Sequence, residues 1–173
     1  QMDWRPALQE LARKALADLV AAREREGAHL AAMLRDRVEQ LRQLADRAEP
    51  LVPELVKQQR QRFLERWEQA LQGALVASAP QAIQERALAE AAAYALRIDV
   101  AEEITRLRSH LQEISRLLGQ GGEIGKRLDF LIQELHREAN TLGSKSASIE
   151  LTRISVDMKV LIEQMREQVQ NIE

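Results

Sequence analysis

Residues 100–142 read VAEEITRLRSHLQEISRLLGQGGEIGKRLDFLIQELHREANTL. Val100, Ile104, Leu107, Leu111, Ile114 and Leu118 recur at alternating spacings of four and three. That is the period of one helix face rather than the alternation of a strand. After Gly119-Gln120-Gly121-Gly122 the spacing resumes at Ile124, Leu128, Leu131, Leu135, Ala139 and Leu142. Two amphipathic helices joined by a short glycine-rich loop fold back as an antiparallel hairpin. Gly143 is placed to close the second helix as its C′ residue.

The rest of the chain carries the same signature. A third stripe, Leu151, Ile154, Met158, Leu161, Met165, Val169 and Ile172, predicts a closing helix over about 147–171. Upstream, a first helix is expected from about Pro6 to Ala48, with a bend available at Gly27. Glu49-Pro50 and Pro53 interrupt it. A second stretch follows from Pro53 to Val76, and the helix that ends near Leu118 begins at Pro80. Only 7 Gly and 4 Pro punctuate 173 residues, too few turns for an all-β fold. The predicted class is all-α: long antiparallel helices in an extended bundle or hairpin, with no sheet. A first helix of some 40 residues would span about 60 Å, too long for one small domain to bury, so self-association is expected.

Composition excludes several chemistries. There is no cysteine, hence no disulfide framework, thiol nucleophile or cysteine zinc site. His29, His110 and His136 show no metal-protease spacing. No apolar run reaches the length of a spanning helix, and Gln1-Met2-Asp3-Trp4 does not open a signal peptide, so a cytoplasmic protein is expected. The net charge of −2 lacks the global field of a non-specific nucleic-acid binder. Arginine nevertheless far outnumbers lysine, and guanidinium can grip phosphate bidentately. Gly119 to Gly122 is no nucleotide loop, because the G-x-x-x-x-G-K-[ST] pattern and a preceding strand are missing.

One constellation carries chemistry. The residues preceding each seam position form flanking stripes: Asp99, Glu103, Arg106, His110 and Glu113 on one helix, and Glu123, Arg127, Phe130, Glu134 and Glu138 on the next. Counted outward from the centre of 119–122, Glu103 falls near Glu138, Arg106 near Glu134, and His110 near Phe130. Asp99, Glu103, Glu134 and Glu138 are therefore candidate ligands for Mg²⁺ or Mn²⁺. Glu103, His110, Glu134 and Glu138 are candidate acid–base or catalytic groups. The competing reading is ordinary interhelical salt bridges on solvated flanks. Lys126, Asp129, Gln133, Arg137 and Asn140 form a mixed polar face, and Asn140-Thr141 with Ser144-Lys145 crowds hydrogen-bonding groups at a helix end. Phe63 and Trp67, one turn apart, read as a core or interface pair.

Four segments carry a resemblance beyond their periodicity. IGKRLDFLIQELHREANTLGSK at 124–145 and REQVQNIE at 166–173 resemble the C-terminal region of the bacterial YicC/YloC family. DVAEEITRLRSH at 99–110 is similar to that family's D-x-x-E-E-x-x-R-L-x-S-H segment. Arg25-Glu26-Gly27 resembles its R-x-E-G element with one residue fewer. The motif-rich likeness covers 89–173, so the expected division is a helical stalk over 1–88, the tail of the family's N-terminal region, and a YicC-like helical domain over 89–173. The family was long catalogued as stress-induced proteins and is described as hexameric endoribonucleases with an N-terminal β-containing domain. The resemblance implies RNA as partner and substrate, no DNA or membrane, and a chain that starts in the helical part. By the same resemblance Asp99, Glu102, Glu103, Arg106, His110, Lys126, Asp129, Gln133, Glu134, Arg137, Glu138, Asn140, Ser144 and Lys145 occupy motif positions.

Two functions follow from these readings. One is metal-assisted phosphodiester cleavage, with Arg106, Lys126, Arg127, Arg137, Asn140 and Lys145 addressing RNA. The other is a helical oligomerisation or RNA-decay adaptor module without chemistry of its own.

Overall fold

The computed structural model describes residues 4–77, 81, 84–89, 91, 100–144 and 148–171. Among them every regular element is a helix: α1 (Arg5–Ala48), α2 (Leu51–Ala77), α3 (Val100–Gln120), α4 (Gly125–Ser144) and α5 (Ile149–Gln170). No described helix is long and apolar enough to cross a membrane.

The second half of α1 joins α3, α4 and α5 in a four-helix bundle. Around its ring α3 packs on α4, α4 on α5, α5 on α1, and α1 on α3. The predicted stripes line its interior, except that Ile162 is fully buried in place of Leu161 and Ile172 lies outside the described residues; Leu107, Leu111, Ile114, Leu135, Ala139, Leu151, Ile154 and Met158 are essentially inaccessible. From α1 come Leu34, Val38, Leu41 and Ala45. Burial of this kind stabilises by about 1.5–3 kcal/mol per large aliphatic side chain and outweighs the modest intrinsic propensity of any one helix. Polar ties fix the order of the helices. Arg35 Nη2 donates to the Leu118 carbonyl at 3.1 Å, serving an otherwise open end of α3, and Arg42 Nη2 donates to Ser115 Oγ at 3.0 Å. Arg108 of α3 bonds both Asp46 of α1 and Glu49, just past its end, at 2.7 Å.

The turn between α3 and α4 differs from expectation. α3 continues through Gly119 to Gln120, and α4 begins only at Gly125. The left-handed positions are Gly121 (φ 69°) and Gly122 (φ 83°), which lack the Cβ that would penalise them. Gly121 N–H donates back to the Leu117 carbonyl at 3.1 Å, closing α3. The loop thus comprises 121–124 instead of 119–122, which moves the facing positions by about one helical turn. Gly143 is likewise not a C′ residue: it lies within α4, where a Cβ would overlap Ser155 Oγ and stand 3.0 Å from Ser155 Cβ. Its role is close approach between α4 and α5. That contact is sealed by Ser155 Oγ donating to the Ala139 carbonyl at 2.6 Å.

At 44 residues α1 is about 66 Å long and overshoots partners of about 30 Å. It passes Gly27 as one unbroken helix, and Leu8, Leu11, Leu16, Leu19 and Val20 are each more than half exposed on its outer part. α2 touches α1 near their junction, burying Val52 and Leu55, and Phe63 stacks on Trp67 with ring centroids 6.1 Å apart.

Candidate functional site

On one side of the bundle, α3 and α4 leave a cleft of about 460 Å³ lined by Glu103, Thr105, Arg106, Ser109, His110, Glu134, Arg137, Glu138 and Thr141. Five of these, Glu103, Arg106, His110, Glu134 and Glu138, come from the flanking stripes, and Arg137 from the mixed polar face. Helix period puts Glu103, Arg106 and His110 along one edge of α3, and Glu134 and Glu138 one turn apart on α4.

The partners within the cleft follow the shifted turn. His110 does not lie opposite Phe130, which is 58% exposed; its Nδ1 is 3.1 Å from Glu138 Oε2. Side chains on both helices lean toward their own N-termini, and in an antiparallel pair that brings His110 and Glu138 toward one level. One donor atom from each of His110, Glu134 and Glu138 lies within 4.8 Å of the others, a candidate cation-binding group.

Burial sets the electrostatics. Glu138 is 3% exposed and Glu103 8%, an unusual position for carboxylates. Burial raises the Glu138 carboxyl above its ordinary value. The charge and hydrogen bond of His110 pull it back, and the nearby negative charges of Glu134 and Glu103 push it further up. The rim is positive: Arg106 pairs with Glu102 and lies 3.9 Å from Glu103, while Arg137 lies 3.8 Å from Glu134. Both guanidinium side chains are more than half exposed, so these pairs are weak and exchangeable.

A nitrogen and two carboxylate oxygens suit a divalent transition ion such as Mn²⁺ better than Mg²⁺, which favours an all-oxygen shell. The ring nitrogen on the side of the carboxylates is Nδ1, 3.1 Å from Glu138 Oε2.

The other expected site residues are placed elsewhere. Arg127 is at the loop end of the hairpin and donates to Glu113 at 3.4 Å; Lys126, beside it, is exposed. The cleft does not include either of them, nor exposed Asn140. Asp99 and Lys145 lie outside the described residues. Of the residues not named as site candidates, Thr105 and Ser109 share an outer face of α3 at i, i+4, and Thr141 follows Arg137 by one turn. That spacing was the available signal, but small hydroxyl residues do not stand out beside glutamates and arginines.

Fold and cleft together define a helical-bundle protein with a carboxylate–histidine cleft rimmed by arginine. The sequence matches the family model described as "Endoribonuclease YicC-like, C-terminal" over residues 48–173. A Haemophilus influenzae protein named "Probable endoribonuclease YicC" is 42% identical over 158 residues, covering 91% of this chain and 52% of that protein. A Clostridioides difficile protein of the same name is 35% identical over 167 residues, covering 96% and 55% respectively. The chain therefore belongs to the YicC-like family, and it spans about half the length of these relatives.

Proposed function

We propose that the α3–α4 cleft is a cation-assisted phosphodiester-cleaving site and that the chain is the C-terminal helical part of an endoribonuclease. The observation that carries this reading is the convergence of His110, Glu134 and Glu138 within 4.8 Å beneath a rim bearing Arg106 and Arg137. The names of the two relatives point to the same substrate class.

In this reading His110, Glu134 and Glu138 hold the ion, with Mn²⁺ preferred, and Glu103 adds negative charge beside them. A divalent cation supplies charge neutralisation at the phosphate and activates water for attack. Arg106 and Arg137 leave their weak carboxylate pairs and grip the non-bridging oxygens, where guanidinium geometry is an advantage. Without an ion, His110 Nδ1 and Glu138 Oε2 lie 3.1 Å apart and keep each other within the cleft. Lys126, Arg127 and Asn140 are assigned to RNA outside the cleft, while Lys145 as an RNA contact and Asp99 as an ion ligand are proposed from the sequence alone. The protein is placed in the cytoplasm.

A second reading is favoured by one observation, the exposed leucines on the outer part of α1. Such a face calls for a cover, and a second copy of the chain supplies one. Self-association, up to the family's hexamer, can accompany cleavage or stand alone as an adaptor function. The separating assay follows a fluorescent RNA with wild type, Glu134→Gln and Glu138→Gln, with Mn²⁺, Mg²⁺ or chelator. It uses this chain and a longer version extended to the relatives' length. Cleavage lost in both variants, with folding and assembly kept, supports the site. Undiminished cleavage by the folded variants refutes it.

A further inference from the structure

A second groove lies on the other flank of α3, toward the start of α2. It has a volume of about 410 Å³, and Val52, Pro53 and Ile104 form its apolar walls while Glu49, Arg108 and Gln112 supply polar groups. Thr105 and Ser109 line both this groove and the carboxylate–histidine cleft. Both are exposed, with short side chains one helical turn apart, so the divide between the two hollows is low. A polymer backbone lying in the cleft can cross that divide.

The chemistry of the groove differs from that of the cleft. Arg108 Nη2 is committed to Asp46 and Glu49, each at 2.7 Å, so its charge is compensated and the groove is poorly suited to phosphate. Apolar walls with a few hydrogen-bonding groups suit a flat, uncharged, polar-edged ligand. Arg108 Nε is buried with no acceptor among the described residues, so polar capacity is unspent at this place. The Glu49 carboxylate accepts from Arg108 through Oε2 and retains lone pairs, and Gln112 carries an amide with both donor and acceptor. Carboxylates accept from exocyclic amino groups, and glutamine amides pair with adenine-type edges. Uracil would set carbonyl oxygens against the carboxylate.

We propose that this groove is the subsite for the nucleobase adjoining the phosphate held in the cleft, and that Glu49 and Gln112 make it favour a base with an exocyclic amino group over uracil. The assignment rests on reading the cleft as a phosphodiester site.

The test uses four oligoribonucleotides identical except at the nucleotide next to the cleavage site: adenine, cytosine, uracil or abasic. The full chain is assayed for cleavage with Mn²⁺. Binding of the same strands is measured without metal, which withholds cleavage, by fluorescence anisotropy. Wild type should favour adenine or cytosine over uracil by about 10-fold in both readouts, the scale of one good base contact. Gln112→Leu and Glu49→Gln should each reduce that preference to about twofold, mainly through KM. Val52→Trp, which fills the groove, should erase the advantage of any base over the abasic strand. Gln112 is exposed, so its variant keeps the test valid if the Val52 variant fails to fold. If wild type binds and cleaves none of the strands, the phosphodiester reading fails and the subsite falls with it. Equal use of all four strands, a preference for uracil, or variants that keep the wild-type preference overturn the subsite alone.

Discussion

Gly143→Ala tests whether the α4–α5 contact is as close as the backbone demands. On an exposed helix this change would stabilise by about 1 kcal/mol through helix propensity. Here the added methyl overlaps Ser155 Oγ and lies 3.0 Å from Ser155 Cβ, and Ser155 is 1% exposed with its hydroxyl bonded to the Ala139 carbonyl. Overpacking of a tight core costs about 1–3 kcal/mol. If Ser155 rotates away, its buried hydrogen bond is lost as well, at about 0.5–1.5 kcal/mol. Set against the propensity gain, the expected net loss is about 1–3 kcal/mol, or several degrees in Tm for a chain of this size. Urea unfolding by circular dichroism measures it. Adding Ser155→Gly opens the space, so the double variant should lose less than the sum of the single changes, the signature of direct contact. A Gly143→Ala variant as stable as wild type, or strict additivity in the double variant, refutes the reasoning.

Glu138→Gln should raise the stability of the metal-free chain by on the order of 1 kcal/mol while weakening Mn²⁺ binding, a trade common at functional carboxylates. Because burial raises the Glu138 pKa, its carboxyl favours the folded state only when protonated. The advantage of the variant should therefore grow as pH rises from the ordinary value of 4.5 through the higher native value, and thermal melts against pH with and without Mn²⁺ check both halves. Glu113 behaves oppositely: hydrogen bonds from Arg116 and then Arg127 lower its carboxyl to about 2. Its contribution should be full above 4.5 and fade as pH falls through about 2, so wild type and Glu113→Gln should converge in acid melts. Ser148 accepts from Leu151 N–H at the start of α5, and Ser148→Ala should cost about 1 kcal/mol in urea unfolding. Leu11→Arg with Leu19→Arg should abolish the proposed self-association in sedimentation without changing helix content, because both side chains are exposed in the single chain; a wild type that sediments only as a monomer refutes it.

The bundle was legible because its cause is repetitive. A seam such as Val100 to Leu118 offers one way to bury six aliphatic side chains at once, so an error at one position does not move the helix. The turn was less legible because it depends on two φ angles. Gly119 and Gly143 look like stops in the sequence, yet glycine inside a helix costs only about 1 kcal/mol, and packing on both sides outweighs that. The error propagated: a loop centred two residues early faces His110 with Phe130 in place of Glu134, and the opposed lean of the side chains carries His110 the rest of the way to Glu138. The composition of the flanking stripe survived the error, since sliding two helices by one turn leaves the same residues on the same flank. The groove beside Arg108 was not legible, because Glu49 and Val52 come from a segment some 50 residues away from α3.

What distinguishes the α3–α4 flank is a conflict between levels of organisation. Elsewhere in the bundle propensity, apolar period and burial agree, and exposed carboxylates such as Glu39 and Glu163 sit near arginines in weak surface pairs. At Glu103 and Glu138 the chain buries carboxylates beside each other and beside Glu134, where solvation is lost and mutual repulsion is added. A bundle needs neither: leucine or alanine at these positions would continue the apolar surface at no electrostatic cost. The His110 bond offsets part of the penalty for Glu138, but it opposes rather than cancels the burial effect. Such local disagreement in an otherwise consistent sequence is expected at a functional site, where the unfavourable charge is compensated when the ligand arrives. A divalent cation is the ligand whose charge answers three carboxylates directly, and an arginine rim above it matches a phosphate. The strained electrostatics and the proposed chemistry are therefore two aspects of one arrangement.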